Sequence, residues 1–93
     1  MLTYKAAYRY LDDGVHVELL DFPGVISCGG DLEEARRMVT GALVDMAETL
    51  LGSGEPLPTP DPALTDPDAD LEEPVHLVLT ATTQVTVIPR QAP

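Results

Sequence analysis

The chain has 93 residues, enough for one small domain, and a formal net charge of −11 that comes from 16 acidic and five basic residues. A surface this acidic repels phosphate backbones, so direct binding of nucleic acid is not expected, whereas a basic protein is a suitable partner. One cysteine, Cys28, excludes an internal disulfide and any metal site built from several cysteines.

The first half of the chain predicts three short antiparallel strands. Residues 3–10 alternate, with Tyr4, Tyr8 and two further residues on one face. Asp13-Gly14 is typical of a hairpin turn and leads into a second alternating segment, residues 15–20. Residues 25–28 are short and apolar and predict the third strand. Because only 4% of the residues are aromatic, we expect an aliphatic core.

Residues 31–51 predict one long helix, with apolar residues at steps of three and four. Asp31 is a suitable N-cap, and Glu34 can reach back toward it as in a capping box. The same acids would repel a phosphate from the Gly29-Gly30 loop. Gly52 is the expected helix stop, and Gly41 suggests close packing on the sheet or on a neighbouring subunit.

The segment 55–74 differs in composition from the rest of the chain. It holds six prolines, seven acidic residues and no basic residue, so it predicts an acidic Pro-rich loop, more readily a disordered linker than an ordered element. Residues 75–88 are β-branched and predict the last strand, or two strands broken near residues 83–84. A hydrophobic strand edge there would favour a homodimer or a larger oligomer.

Five short motifs in order give the chain a family resemblance over about residues 3–60. These are Tyr4-x-Ala6, Asp13-Gly14, Phe22-Pro23-Gly24, Cys28-Gly29 and Glu34-Ala35. Together they resemble the HicB-like family, which includes the antitoxins of HicA–HicB toxin–antitoxin pairs. Pro23, Gly24, Gly29, Asp31 and Glu34 are the predicted turn and cap residues.

The resemblance implies an α+β, β-β-β-α-β partial ribonuclease H-like fold, with the helix packed on one face and the final strand or strands completing the sheet. It also implies an antitoxin that binds and masks a small basic HicA-like ribonuclease. The alternative is a free-standing HicB-like oligomeric or regulatory module. Residues 1–93 are then a single domain, and no DNA-binding domain is expected after it.

For partner contact, the sequence suggests acidic residues beside the sheet and in the loop: Glu18, Asp21, Asp66, Asp68 and Asp70. No catalytic, metal or cofactor site is expected, because His16 and His76 lie in unlike contexts and the first strand lacks the acid that a ribonuclease H site needs. Cys28 is interpreted as a buried or half-buried structural thiol. Without a signal peptide or an 18-residue apolar run, a cytoplasmic protein is the expectation.

Overall fold

The computed structural model describes residues 1–78, which form one four-stranded antiparallel sheet and one helix. The elements are β1 (Leu2–Leu11), β2 (Gly14–Leu19), β3 (Ile26–Gly29), α1 (Leu32–Gly52) and β4 (Leu71–Leu77). The strand order is β3-β2-β1-β4. The predicted α+β class and the β-β-β-α-β order are confirmed, and the sequence-based bounds of β1, β2, β3 and α1 are within one residue of those observed.

The last strand begins earlier than expected, at Leu71 rather than at residue 75. It includes Pro74, which the composition had assigned to the loop. Pro74 is tolerated because β4 is an outer strand and its missing N–H can face away from β1. The predicted strand residues 79–88 lie outside the described residues.

The core lies between α1 and one face of the sheet, and it contains three aromatic side chains. Tyr4, Tyr8 and Phe22 are the largest fully buried side chains, and the rings of Tyr4 and Phe22 pack edge to face with centroids 5.0 Å apart. The expectation of an aliphatic core holds for ten of the thirteen buried core residues and is corrected by these three aromatic side chains. Few aromatics are present, but three of the four lie in the core: Tyr4 and Tyr8 on β1, and Phe22 in the connection between β2 and β3.

The start of α1 follows the predicted capping pattern with one change of partner. The Asp31 carboxylate accepts the N–H of Glu34 at 2.7 Å, and the Glu34 carboxylate accepts the N–H of Gly30 at 2.8 Å. Gly29 brings β3 close to this first turn, because a Cβ at that position would lie 2.4 Å from the nitrogen of Ala35. The helix N-terminus is thus filled by its own acids.

The helix ends at Gly52, and the glycine that stops it is Gly54, two residues later than the Gly52 stop predicted from sequence. Gly52 is still helical, and Gly54 takes the left-handed conformation with φ +73°. Its N–H donates to the carbonyl of Leu51, and the N–H of Glu55 donates to the carbonyl of Leu50 at 2.9 Å, which is the Schellman arrangement. Gly41 has no atom within 4 Å of its Cβ direction, so it does not pack on the sheet.

Candidate protein-binding face

The face of the sheet that points away from α1 is largely polar on its two inner strands, β1 and β2. Since residues alternate along a strand and paired residues share a face, Lys5, Ala7 and Arg9 of β1 lie beside His16 and Glu18 of β2. The same register places Ile26 and Cys28 of β3 and Glu72 and Pro74 of β4 on this face. We call this surface the open face.

The acidic loop covers the β1 part of the open face. The ammonium group of Lys5 donates to the carbonyl oxygens of Pro62 and Leu64, both at 2.7 Å, and lies 3.7 Å from the Glu72 carboxylate. Ala7 is consequently buried although it points away from the helix. The preference for a disordered linker over an ordered element is corrected here, because directed polar contacts hold this segment although it has few apolar side chains.

Asp21 anchors the loop where it passes the end of β1. It is the one buried charged residue among those described, and its two carboxylate oxygens accept the N–H groups of Lys5 at 2.8 Å and of Asp61 at 2.9 Å. Nearby, the hydroxyl of Tyr4 donates to the carbonyl of Pro58 at 2.7 Å. Burial raises the pKa of Tyr4, and the charge of Asp21 raises it further.

Three of the five predicted contact residues converge around Arg9. Its guanidinium donates to the Asp66 carboxylate at 2.8 Å, and Asp68 and Glu18 are close enough for their charges to act on it. The hydrogen bond that Arg9 donates to Asp66, followed by the charge of that carboxylate and the weaker charges of Asp68 and Glu18, raises the pKa of Arg9. The pKa of Asp66 is lowered by the Arg9 hydrogen bond and by the N–H of Asp68.

The other two predicted residues have different positions. Asp70 is exposed, and its carboxylate accepts the N–H of Tyr10 at 2.7 Å. Asp21 is buried, with both oxygens occupied by the chain itself, so its charge is not displayed on the surface. The structure therefore brings together Glu18, Asp66 and Asp68 on the open face, and gives Asp21 an internal role.

Sequence reasoning missed the basic side chains that hold the loop and the exposed Ile26. A signal for the first was present: the outward face of β1 carries only positive charge, at Lys5 and Arg9, and the segment 55–74 carries only negative charge. No sequence signal identified Ile26, which is 55% exposed at the outer strand because nothing in the described chain packs over it.

Cys28 was expected to be buried or half-buried, and the structure corrects this, since its side chain is exposed on β3. It lies directly opposite His16 of β2 in the pairing register, a neighbour that sequence separation concealed. Within residues 1–78, no group of three or more His, Cys, Asp or Glu side chains is arranged to hold a metal ion. The described part of the chain also contains no helix that is long and apolar enough to cross a membrane.

On the face of the sheet that α1 covers, Arg36 of α1 forms an ion pair with Glu73 of β4. Its guanidinium donates two hydrogen bonds to Glu73, at 2.7 and 2.9 Å. This pairing lowers the pKa of Glu73 and raises that of Arg36. The hydroxyl of Tyr8 is buried beside this ion pair without a well-formed hydrogen bond to any described residue, and burial together with the charge of Glu73 raises the pKa of Tyr8 to about 12.

The arrangement of strands and helix is shared with HicB antitoxins of solved structure. The N-terminal domain of the Burkholderia pseudomallei antitoxin HicB matches with a TM-score of 0.69 and 24% identity, over 84% of this chain and 100% of that one. The chain has a HicB-like fold. The resemblance predicted from the sequence motifs is confirmed at the level of fold.

Two further structures show the same likeness. The Burkholderia pseudomallei antitoxin HicB gives a TM-score of 0.74 and 24% identity, over 97% of this chain and 77% of that one. A chain of the HicA3 and HicB3 toxin–antitoxin complex gives 0.61 and 20% identity, over 81% and 96% respectively. No protein-family model and no curated protein sequence matches this chain.

Proposed function

We propose that this chain is a HicB-like antitoxin that binds a small basic HicA-like ribonuclease and masks it. The observation that carries the proposal is the fold, which is similar to that of HicB antitoxins and of a chain in a toxin–antitoxin complex. The net charge of −11 supports a basic partner, because it accelerates encounter with a cationic protein and opposes binding to nucleic acid.

The proposed contact surface is the open face around Arg9. Glu18 and Asp68 present negative charge there, and Asp66 and Asp70 continue it along the loop. Exposed Ile26 lies opposite Glu18 in the strand register, so an apolar side chain stands beside the acids. A buried apolar centre with a charged rim is the usual composition of a protein interface. Asp21 is not part of the proposed contact surface, although the sequence suggested it, because it is buried and both of its oxygens accept hydrogen bonds from the chain itself.

The test is a calorimetric titration of this chain with the product of the neighbouring gene, at 50 and 300 mM salt. We expect a tighter complex at low salt, because exposed charges are screened over about 10 Å at 0.1 M. Equimolar addition should also stop RNA cleavage by the toxin, and the chain alone should neither cleave RNA nor shift operator DNA. The absence of a complex at 50 mM salt would contradict the antitoxin proposal.

A pair of charge variants locates the surface. Glu18→Gln on the open face should weaken binding and reduce its salt dependence. Glu48→Gln removes the same charge from the exposed side of α1 and should leave both unchanged. Equal effects of the two would point to net charge alone and contradict the assigned surface.

The alternative is a free-standing HicB-like oligomeric module without a toxin. We retain the homodimer or larger oligomer as a proposal and place the protein in the cytoplasm. Light scattering at micromolar concentration decides the first point, since a mass of 10.0 kDa would mean a monomer. An oligomer that does not bind the adjacent gene product would favour the alternative.

A further inference from the structure

The two outer strands of the sheet expose different backbone edges. The two-residue connection 12–13 makes Leu11 and Gly14 a hydrogen-bonded pair, so Val15, Val17 and Leu19 turn their backbone groups toward β3. The bond from the N–H of Leu19 to the carbonyl of Val25, at 3.0 Å, follows this alternation.

The same alternation fixes the direction of the β3 backbone. Val15 and Val17 pair with Gly29 and Ser27, so the N–H and C=O groups of Ile26 and Cys28 point outward. In the part of the chain that the structure describes, β3 is the end strand and has no neighbour on that side. Unpaired strand edges of this kind are templates for another strand.

The opposite edge of the sheet is interrupted. The backbone N–H of Lys5 donates to Asp21 and its carbonyl accepts the N–H of Leu20, so both groups turn toward β2. Its partner on β4, Pro74, therefore directs its backbone nitrogen outward, where proline has no hydrogen to donate. An added strand would miss a hydrogen bond at the middle of β4 and would not miss one on β3.

Acidic residues flank the β3 edge at both ends. Glu18 lies opposite Ile26. At the other end, Asp13 lines a depression of about 270 Å³ together with His16, Cys28 and Gly29. Two copies of the chain paired through this edge would bring these like charges together, whereas a basic segment would meet opposite charge. Charge thus distinguishes a cationic partner from a second copy.

We propose that the outer edge of β3 accepts an extended, positively charged segment of the toxin as a fifth strand. The added strand would bond the outward N–H and C=O groups of Ile26 and Cys28 and contact the exposed side chain of Ile26. This inference rests on the proposed antitoxin function, and it states which part of the surface the partner pairs with and by which groups.

Amide hydrogen exchange of the complex with the product of the neighbouring gene tests the pairing residue by residue. The amides of Ile26 and Cys28 should exchange freely in the isolated chain and become protected in the complex. The amide of Ser27 faces β2 and should be protected in both. A complex in which Ile26 and Cys28 still exchange freely would overturn the strand pairing and leave the antitoxin function standing.

Proline variants test the same groups by affinity. Ile26→Pro removes one outward N–H without removing a bond to β2, and Ile26→Ala is the matched control that keeps the N–H and loses the side chain. We expect Ile26→Pro to bind about fivefold to tenfold more weakly than Ile26→Ala. Equal affinity in two variants that melt alike would overturn the proposal.

The two failures are separable. If the wild-type chain forms no complex at 50 mM salt, the antitoxin function fails and the edge pairing fails with it. If a complex forms but neither exchange nor the proline variant responds, only the edge pairing fails. Should Ile26→Pro not fold, the exchange pattern of the wild-type complex decides alone.

Discussion

The two faces of this sheet are covered in physically different ways. On one face, α1 buries Tyr4, Tyr8 and Leu43 almost completely. On the other, the acidic loop lies on β1 through hydrogen bonds and charges at Lys5, Arg9 and Asp21. Apolar burial is non-directional and carries the stability of the fold, whereas the polar contacts depend on a few individual groups. The loop face can therefore be altered without unfolding the helix face.

Leu43→Ala should produce the largest loss, because Leu43 is 1% exposed at the centre of the helix face. Truncating a buried leucine typically costs about 3–4 kcal/mol of unfolding free energy, much of what a small domain has. Urea unfolding followed by circular dichroism measures the loss. Val44→Ala, next in sequence but 39% exposed, is the control and should change stability little. Similar losses would mean that α1 is packed differently.

Asp21→Ala should loosen the loop face and leave the helix face folded. Two buried N–H groups, of Lys5 and Asp61, lose their acceptor, which we expect to cost about 2 kcal/mol. Exchange of the amides at 61–68 should accelerate, while the amides of α1 should exchange as slowly as in the wild type. Asp68→Ala, which removes an exposed carboxylate from the same loop, is the control. Loss of the helix signal in Asp21→Ala would contradict the separation of the two faces.

The sequence predicted the helix face better than the loop face, for a physical reason. Strands and helix follow local periodicity, which is visible in Tyr4, Ala6 and Tyr8 and in the apolar steps of α1. The path of the loop depends on pairings between residues more than 50 positions apart, such as Arg9 with Asp66. The composition shows that the first strand is basic and the loop acidic, but it does not show which residues pair. The outward position of Ile26 depends on sheet order, which no local pattern specifies.

Alkaline pH should destabilise the fold through Tyr8. The Tyr8 pKa is raised from 10.0 to about 12, so the folded chain holds this proton more tightly than the unfolded chain does. The resulting stability is complete below pH 10 and is lost as pH rises from 10 toward 12. Melting temperatures recorded from pH 8 to 11.5 should fall in the wild type and fall less in Tyr8→Phe. The phenylalanine variant should melt like the wild type at pH 7, because the Tyr8 hydroxyl makes no well-formed hydrogen bond with the described residues.

Arg9→Ala should have the smallest effect of these changes and should act on the loop face alone. The Arg9–Asp66 pair is partly exposed, and exposed ion pairs contribute little to global stability. Its local effect should still exceed that of Arg37→Ala, since Arg37 lies 3.7 Å from Glu34 within the same helix and holds no distant segment.

The effect of Arg9→Ala should depend on pH. The pKa of Asp66 lies below its usual 3.8, so the contribution of the pair is complete above that pH and disappears as pH falls through the folded-state pKa. Amide exchange at 66–70 should therefore be faster in Arg9→Ala than in the wild type at pH 6, and the difference should shrink as pH falls below 3.8 through the folded-state pKa of Asp66. Equal exchange rates in the two proteins at pH 6 would assign the holding of the loop to Lys5 and Asp21 rather than to this pair.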